Sequence, residues 1–266
     1  MARDAPRVHP AVKGFDRAAT TYERGRPDYP PAAVAHLARV LRLGRGSTVV
    51  EVGSGTGKFT RALGTTGAAR VAVEPIAGMR RVFARVVPEV PVLSGTAESI
   101  PLPSGFADAI VAAQAFHWFR PRPALREFAR VLRPGGGLGL VWNLRDESVG
   151  WSRRLTELLD EYGYTSQVPR ARGLDRWRPV FDRPESPFGP LLHCRFPHRQ
   201  RAPRATFVAR ILSVSVVAGL SARERGRVAE RVRAILDTDP ATRDRPILEM
   251  PYRTDVFWTF RPPAAR

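Results

Sequence analysis

Val49-Val-Glu-Val-Gly-Ser-Gly-Thr-Gly57 decides the fold: a short strand-forming run leads straight into glycines at alternate positions. A strand ending in Gly53, Gly55 and Gly57 brings bare backbone to the carboxyl edge of a sheet, the crevice where open α/β folds hold nucleotides. A Cβ there would obstruct both the tight turn and the close approach of a ligand. The remaining question is which nucleotide.

A phosphate-cradling loop needs a glycine, four spacers and then Gly-Lys-Ser/Thr. Lys58 does follow Gly57, but Phe59 stands where the hydroxyl belongs and Val52 where the first glycine belongs. The dinucleotide fingerprint G-x-G-x-x-G puts its third glycine three residues after the second. Here that position is Lys58, and the glycine arrives one residue early at Gly57. The spacing present, acidic-x-Gly-x-Gly-x-Gly headed by Glu51, resembles the first motif of class I S-adenosylmethionine-dependent methyltransferases. Pyrophosphate suits a helix N-terminus, whereas S-adenosylmethionine has no phosphate, and its cationic amino acid end suits a carboxylate such as Glu51. Taken alone, the loop also has a bland explanation, a chance glycine-rich turn in a GC-rich coding sequence.

Further matches follow in order. Arg70-Val-Ala-Val-Glu74 is a second short apolar strand ending in a carboxylate, which can accept both ribose hydroxyls as in dinucleotide sites. Pro91-Val-Leu-Ser-Gly-Thr-Ala-Glu-Ser-Ile-Pro-Leu-Pro103 resembles the family's third segment, which implies that the backbone at Ala97 and the carboxylate of Glu98 meet the adenine. Phe106 to Gln114 reads as strand 4, and Leu132-Arg-Pro-Gly-Gly136 precedes strand 5, Gly137 to Asn143. The resemblance implies a Rossmann-like α/β fold: a seven-stranded, mostly parallel sheet flanked by helices, with the last strand antiparallel. It also implies that Pro75, Met79, Thr96, Gln114 and Ala115 border the cofactor, with S-adenosylhomocysteine as the product.

The bulk composition agrees. The chain has 266 residues and is 43% hydrophobic, enough for one large α/β domain with its own core. Met1 to Gly14 is polar and broken by prolines, so no secretory leader is expected. The longest apolar run, Ile211 to Leu220, is interrupted by serines and too short to cross a membrane. Cys194 is the only cysteine, so an internal disulfide is impossible and a reducing, cytoplasmic location is expected; Cys194 itself reads as buried filler on a strand. No His/Cys/carboxylate set has structural-zinc spacing, so no metal is expected. The net charge is +18, and every basic residue except Lys13 and Lys58 is an arginine. So lopsided a ratio points to codon usage more than to a phosphate-binding surface. The arginines are scattered, and apart from Arg176-Trp-Arg178 no Arg-aromatic patch typical of RNA grooves occurs, which argues against a nucleic-acid partner.

Three parts of one domain are expected: an N-terminal cap at 1–46, a cofactor-binding core at 47–145, and a lid with a C-terminal, substrate-side region at 146–266. Pro30 and Pro31 open a helix whose Val34, Leu37, Ala38 and Leu41 share one face. Leu125, Phe128, Ala129 and Leu132 repeat that pattern. A helix to about Tyr162 leads into Gly163–Pro190, rich in Pro, Gly and Arg, expected as a lid over the site. Leu191 to Phe196 reads as strand 6. Ser221-Ala-Arg-Glu224 is a capping box opening a helix with Val228, Val232 and Ile235 buried. Tyr252 to Phe260 reads as an antiparallel edge strand.

Methyl transfer from a sulfonium relies chiefly on alignment, which contributes ~7–11 kcal/mol in well-oriented reactions. A strong catalytic signature is therefore not required, and none is present. Gln114-Ala-Phe-His-Trp-Phe119, after strand 4, supplies the candidates: His117 as general base, or as a hydrogen-bonding wall of the pocket. This loop lacks the Asn/Asp-Pro-Pro-Tyr/Phe cluster of enzymes that methylate exocyclic amines. Together with Phe15, Tyr22, Arg26-Pro-Asp-Tyr-Pro30 and Pro251 to Val256, it is similar to the small-molecule branch related to trans-aconitate methyltransferase. That similarity implies that Tyr22 and Arg26 close over the cofactor's amino acid end and the substrate. Phe15, Trp118, Trp142 and Tyr252 would line the substrate side, although such aromatics also serve as plain core. The expected activity is O-methylation of a carboxylate or hydroxyl on a small molecule by a monomer or homodimer. The rivals are an RNA methyltransferase, an enzyme of this fold that uses S-adenosylmethionine for cyclisation or elimination, and a dehydrogenase.

Overall fold

A computed structural model describes residues 26–164 and 177–263. Seven strands form one sheet in the order β3-β2-β1-β4-β5-β7-β6. The first five are β1 (Thr48–Val52), β2 (Ala69–Val73), β3 (Val92–Leu93), β4 (Ala107–Ala113) and β5 (Leu132–Arg145). They are parallel to one another. β7 (Ile247–Phe260) runs antiparallel between β5 and β6 (Leu192–Pro203). The sheet is thus the expected Rossmann-like one with an antiparallel last strand. One detail is corrected: β7 is internal and β6 forms the edge.

The helices cover the sheet as the apolar periodicity demands. α1 (Pro31–Val40) and α2 (Lys58–Leu63) bury Val34, Leu37, Phe59 and Leu63 against Val49, Ala109, Val111, Val141 and Val256. Gly137 and Gly139 make room for α1: a Cβ at either would lie 2.6 or 2.9 Å from Leu41 or Leu37. α3 (Ala77–Val86) packs Phe83 near Ala72 of β2. On the other face, α4 (Pro121–Val131) buries Ala124, Leu125, Phe128 and Val131 against Ile110, Leu138 and Leu140.

The C-terminal part has its own core. α5 (Gly150–Asp160), α6 (Arg204–Leu212), α7 (Ser215–Ala218) and α8 (Ala222–Thr238) close around Leu248, Met250 and Tyr252 of β7. The capping box at Ser221 and Glu224 is formed, and α8 buries Val228, Ala229, Val232 and Leu236. Of the segment expected as a lid, the part described after residue 164 is 177–190. Trp177, Phe181 and Phe188 pack on the sheet face beside α4, with Trp177 stacked on Trp142 at 4.9 Å between ring centroids. Residues 165–176 of that segment lie outside the described residues. Cys194 is half-buried on the edge strand, less enclosed than the filler role requires.

Candidate active site

The tips of β1, β2 and β4, with the turn after β3, converge on one cleft. Its space, open mouth included, is about 1270 Å³. Arg26, Glu51, Gly53, Gly55, Glu74, Pro75, Met79, Thr96, Ala97, Glu98, Gln114, Ala115 and Trp118 all line it.

The three glycines of the loop do different jobs. Gly55 has φ +57°, and a Cβ there would meet nothing within 4 Å, so its bare backbone faces open space. A Cβ on Gly53 would lie 2.7 Å from the Ala115 Cβ, so this glycine lets the turns after β1 and β4 touch. Gly57 does not line the cleft. Its Cβ would collide with Phe83 and Val87 at 2.8 Å, so it serves the packing of α3.

The acids are held in place by the same loops. Glu74 is 4% exposed and accepts hydrogen bonds from the Gly55 N–H and the Ile76 N–H, each at 2.9 Å. Burial raises its pKa, against the pull of those two bonds and of Arg80. Two of a carboxylate's roughly four acceptor positions remain for a ligand. Arg80 straps the turn by donating to the Glu74 and Pro75 carbonyls, each at 2.8 Å. Glu51, 2% exposed, accepts from the Thr60 hydroxyl. Burial pushes its pKa up to about 8, with Glu74 adding to the rise and Thr60 opposing it. Such a group is largely protonated at neutral pH until a cation arrives. Glu98 accepts the Arg120 N–H at 2.8 Å.

Beyond the acids the wall is built from Gln114, Asn143, Tyr29 and Arg210. Gln114 holds φ +55°, uncommon for a residue with a side chain and a mark of local strain at functional sites. Its amide donates to the Asn143 carbonyl at 2.8 Å. The Asn143 side chain donates to the Asp28 carbonyl at 3.0 Å and accepts from the buried Thr254 hydroxyl at 2.6 Å. This chain of bonds ties β4, β5 and β7 to the segment entering α1.

Besides Gly57, three of the candidate residues are not brought to the cleft. His117 is absent from its wall, and its Nδ1 accepts the Trp142 indole N–H at 3.3 Å. An indole only donates, so the ring proton of a neutral His117 sits on Nε2. Trp142 is fully buried on the α4 face of the sheet, and Tyr252 is 2% exposed beneath Arg210 in the C-terminal core. Phe15 and Tyr22 lie outside the described residues. Sequence reading missed Asn143 and Arg210. Asn143 is signalled only as a polar residue closing an apolar strand, and Arg210 is one arginine among many.

A cofactor must fit this set. The hydroxyls of Ser54 and Thr96 are buried in the cleft wall without a hydrogen-bond partner, and Gly55 leaves the approach bare. Two orphaned hydroxyls, three carboxylates and no loop built for phosphate suit a polar, cationic nucleoside.

Comparison with known proteins agrees. A model for the methyltransferase domain matches residues 50–140. An uncharacterized methyltransferase of Mycobacterium tuberculosis is 39% identical over 243 residues, covering 90% of this chain and 92% of the relative. An uncharacterized methyltransferase-like protein of Schizosaccharomyces pombe is 31% identical over 95% of this chain and 97% of its own. A structure presented as a methyltransferase from an antibiotic biosynthesis pathway of Anabaena variabilis superposes with a TM-score of 0.63. It is 20% identical and covers 88% of this chain and 98% of its own, a likeness of fold. Fold and site thus define a class I methyltransferase dependent on S-adenosylmethionine. The chain belongs to the methyltransferase family.

Proposed function

We propose that the enzyme methylates an oxygen of a small-molecule acceptor, a carboxylate in preference to a hydroxyl. The observation that carries this is the make-up of the wall beyond the acids. Among the described residues it contains Gln114, Trp118, Asn143 and Arg210 but no histidine. A hydroxyl needs a base to take its proton, whereas a carboxylate arrives deprotonated at neutral pH.

When bound, S-adenosylmethionine would supply a methyl group already activated for displacement by its sulfonium. The chain's own residues bind and orient. Glu74 and Glu98 take nucleoside hydroxyl and amine donors, and Glu51 offers its carboxylate to the ammonium. Gln114 and Asn143 fix the wall at which the acceptor lies. His117 is a support for Trp142 in this reading.

The test is a screen of small carboxylic acids and alcohols for S-adenosylhomocysteine release with a mass gain of one methyl. Methyl esters, released by mild alkali, are the expected products. Methylthioadenosine, or an altered acceptor without mass gain, would replace this reading with cyclisation or elimination chemistry.

A further inference from the structure

We propose that Arg210 selects the acceptor by pairing with an anionic oxygen group on it. This rests on the methyl-transfer reading of the cleft and adds a named contact to it. Arg210 comes from α6, between β6 and β7, and is the one C-terminal residue among the described residues of the cleft wall. It is only 4% exposed. A guanidinium stays charged at any working pH.

Its position is built. Nη1 donates to the Gln200 side chain at 2.9 Å, and the guanidinium carbon lies 4.5 Å over the centre of the Tyr252 ring. Gln200 lies on β6 and Tyr252 on β7, so two strands orient the group. Its charge also reaches His198, whose pKa is lowered first by burial, with Asp28 opposing the fall and Arg210 adding to it.

The cleft is polarised along the sheet. Glu98 follows β3, Glu74 ends β2 and Glu51 lies on β1. Gln114 follows β4, Asn143 lies on β5, and Arg210 is bonded to β6. A cationic nucleoside matches the acidic half. The far half ends in a fixed cation, and a planar guanidinium recognises carboxylate or phosphate oxygens with directional bonds. Besides Arg26, which enters from the segment before the first helix, two other basic residues stand in the wall. Lys58 pairs with Asp28 at 3.0 Å, and Arg120 is exposed beside Glu98.

The experiment uses the full chain saturated with S-adenosylhomocysteine. Matched carboxylates, phosphate monoesters and carboxamides on the same small scaffolds are titrated by calorimetry, and turnover is measured with S-adenosylmethionine. The anionic members should bind at least about 30-fold more tightly than the amides, the worth of one or two charge-assisted bonds. Whether carboxylate or phosphate leads identifies the source of the anion. Arg210→Gln should abolish the preference, with KM up about 30- to 100-fold, kcat changed less, and S-adenosylhomocysteine affinity within about threefold of wild type. Arg210→Lys should restore part of the preference. Equal binding of amides and anions, or loss of S-adenosylhomocysteine affinity in step with acceptor affinity, would overturn the proposal and leave Arg210 a strut between α6 and the sheet. Should wild type bind no S-adenosylhomocysteine at all, the methyl-transfer reading itself fails, which is a separate result.

Discussion

At the residue scale, the two buried glutamates are affected differently by pH and mutation. Glu74 holds two backbone N–H groups as well as its ligand positions, so its loss should weaken cofactor binding by one to two orders of magnitude, each charge-assisted bond being worth about 1.5–3 kcal/mol. Glu74→Gln titrated with S-adenosylhomocysteine measures this directly. Glu51 is the pH-sensitive one. Its pKa is raised from 4.5 unfolded to about 8 folded, so the folded state binds the extra proton between those values. Stability from this group is therefore lost as pH rises from about 4.5 to about 8, by at most about 5 kcal/mol. The cofactor's ammonium prefers the ionised form, so affinity should rise over pH 6 to 8 and binding should release a proton. Glu51→Gln is expected to melt higher than wild type at pH 8 and to lose that pH dependence. Calorimetry in two buffers of different ionisation heat counts the protons. A pH-independent affinity in wild type would refute this role.

At the element scale, the glycine loop separates binding from stability. Gly57→Ala forces a methyl against Phe83 and Val87 at φ +92°, and should destabilise by about 2–4 kcal/mol, overpacking plus left-handed strain. Gly55→Ala meets no atom, so denaturation should show about 1 kcal/mol of strain. Its methyl would enter the approach to the cleft and lower cofactor affinity about tenfold or more. Urea melts and ligand titrations on the two variants give the contrast. Elements were legible in the sequence where burial is one-sided or total. β1, β2 and β4 are short apolar runs, and α1 and α4 repeat every three to four residues. The ends of β6 and β7 were not. Pro197 and Pro203 suggest a break, yet they lie on the edge strand, where a missing N–H is tolerated. In the sequence Pro251 likewise reads as the break before a strand that starts at Tyr252. It stands just past the last β5 pair, Arg145 with Tyr252, so no ladder bond to β5 is lost there. The site was legible where motif spacing reports backbone need: Glu51, Gly53, Gly55, Glu74 and Glu98. Trp142 shares β5 with Asn143 and only the pleat turns it to the other side, while His117 sits in the short 3-10 turn Phe116–Trp118 and turns away from the cleft to accept the Trp142 indole N–H.

At the scale of the whole molecule, the charge of +18 demands a consequence. Many arginines are already occupied. Arg231 meets Glu161 at 2.6 Å, and Arg195 and Arg253 flank the buried Asp255 at 3.1 and 3.3 Å. Exposed pairs such as Arg231 with Glu161 add little stability, because water and salt screen them. They do divide the field into short patches of both signs. A polyanion sees the sum of those patches. RNA should therefore be retained on filters at ~20 mM salt and released near physiological salt, because counterion release makes such binding fall steeply with log[salt]. The slope should be the same for unrelated sequences, and Arg210→Gln should leave it unchanged, since that arginine is buried in the cleft wall. Retention at physiological salt with transfer of methyl label to the RNA would instead make nucleic acid the acceptor.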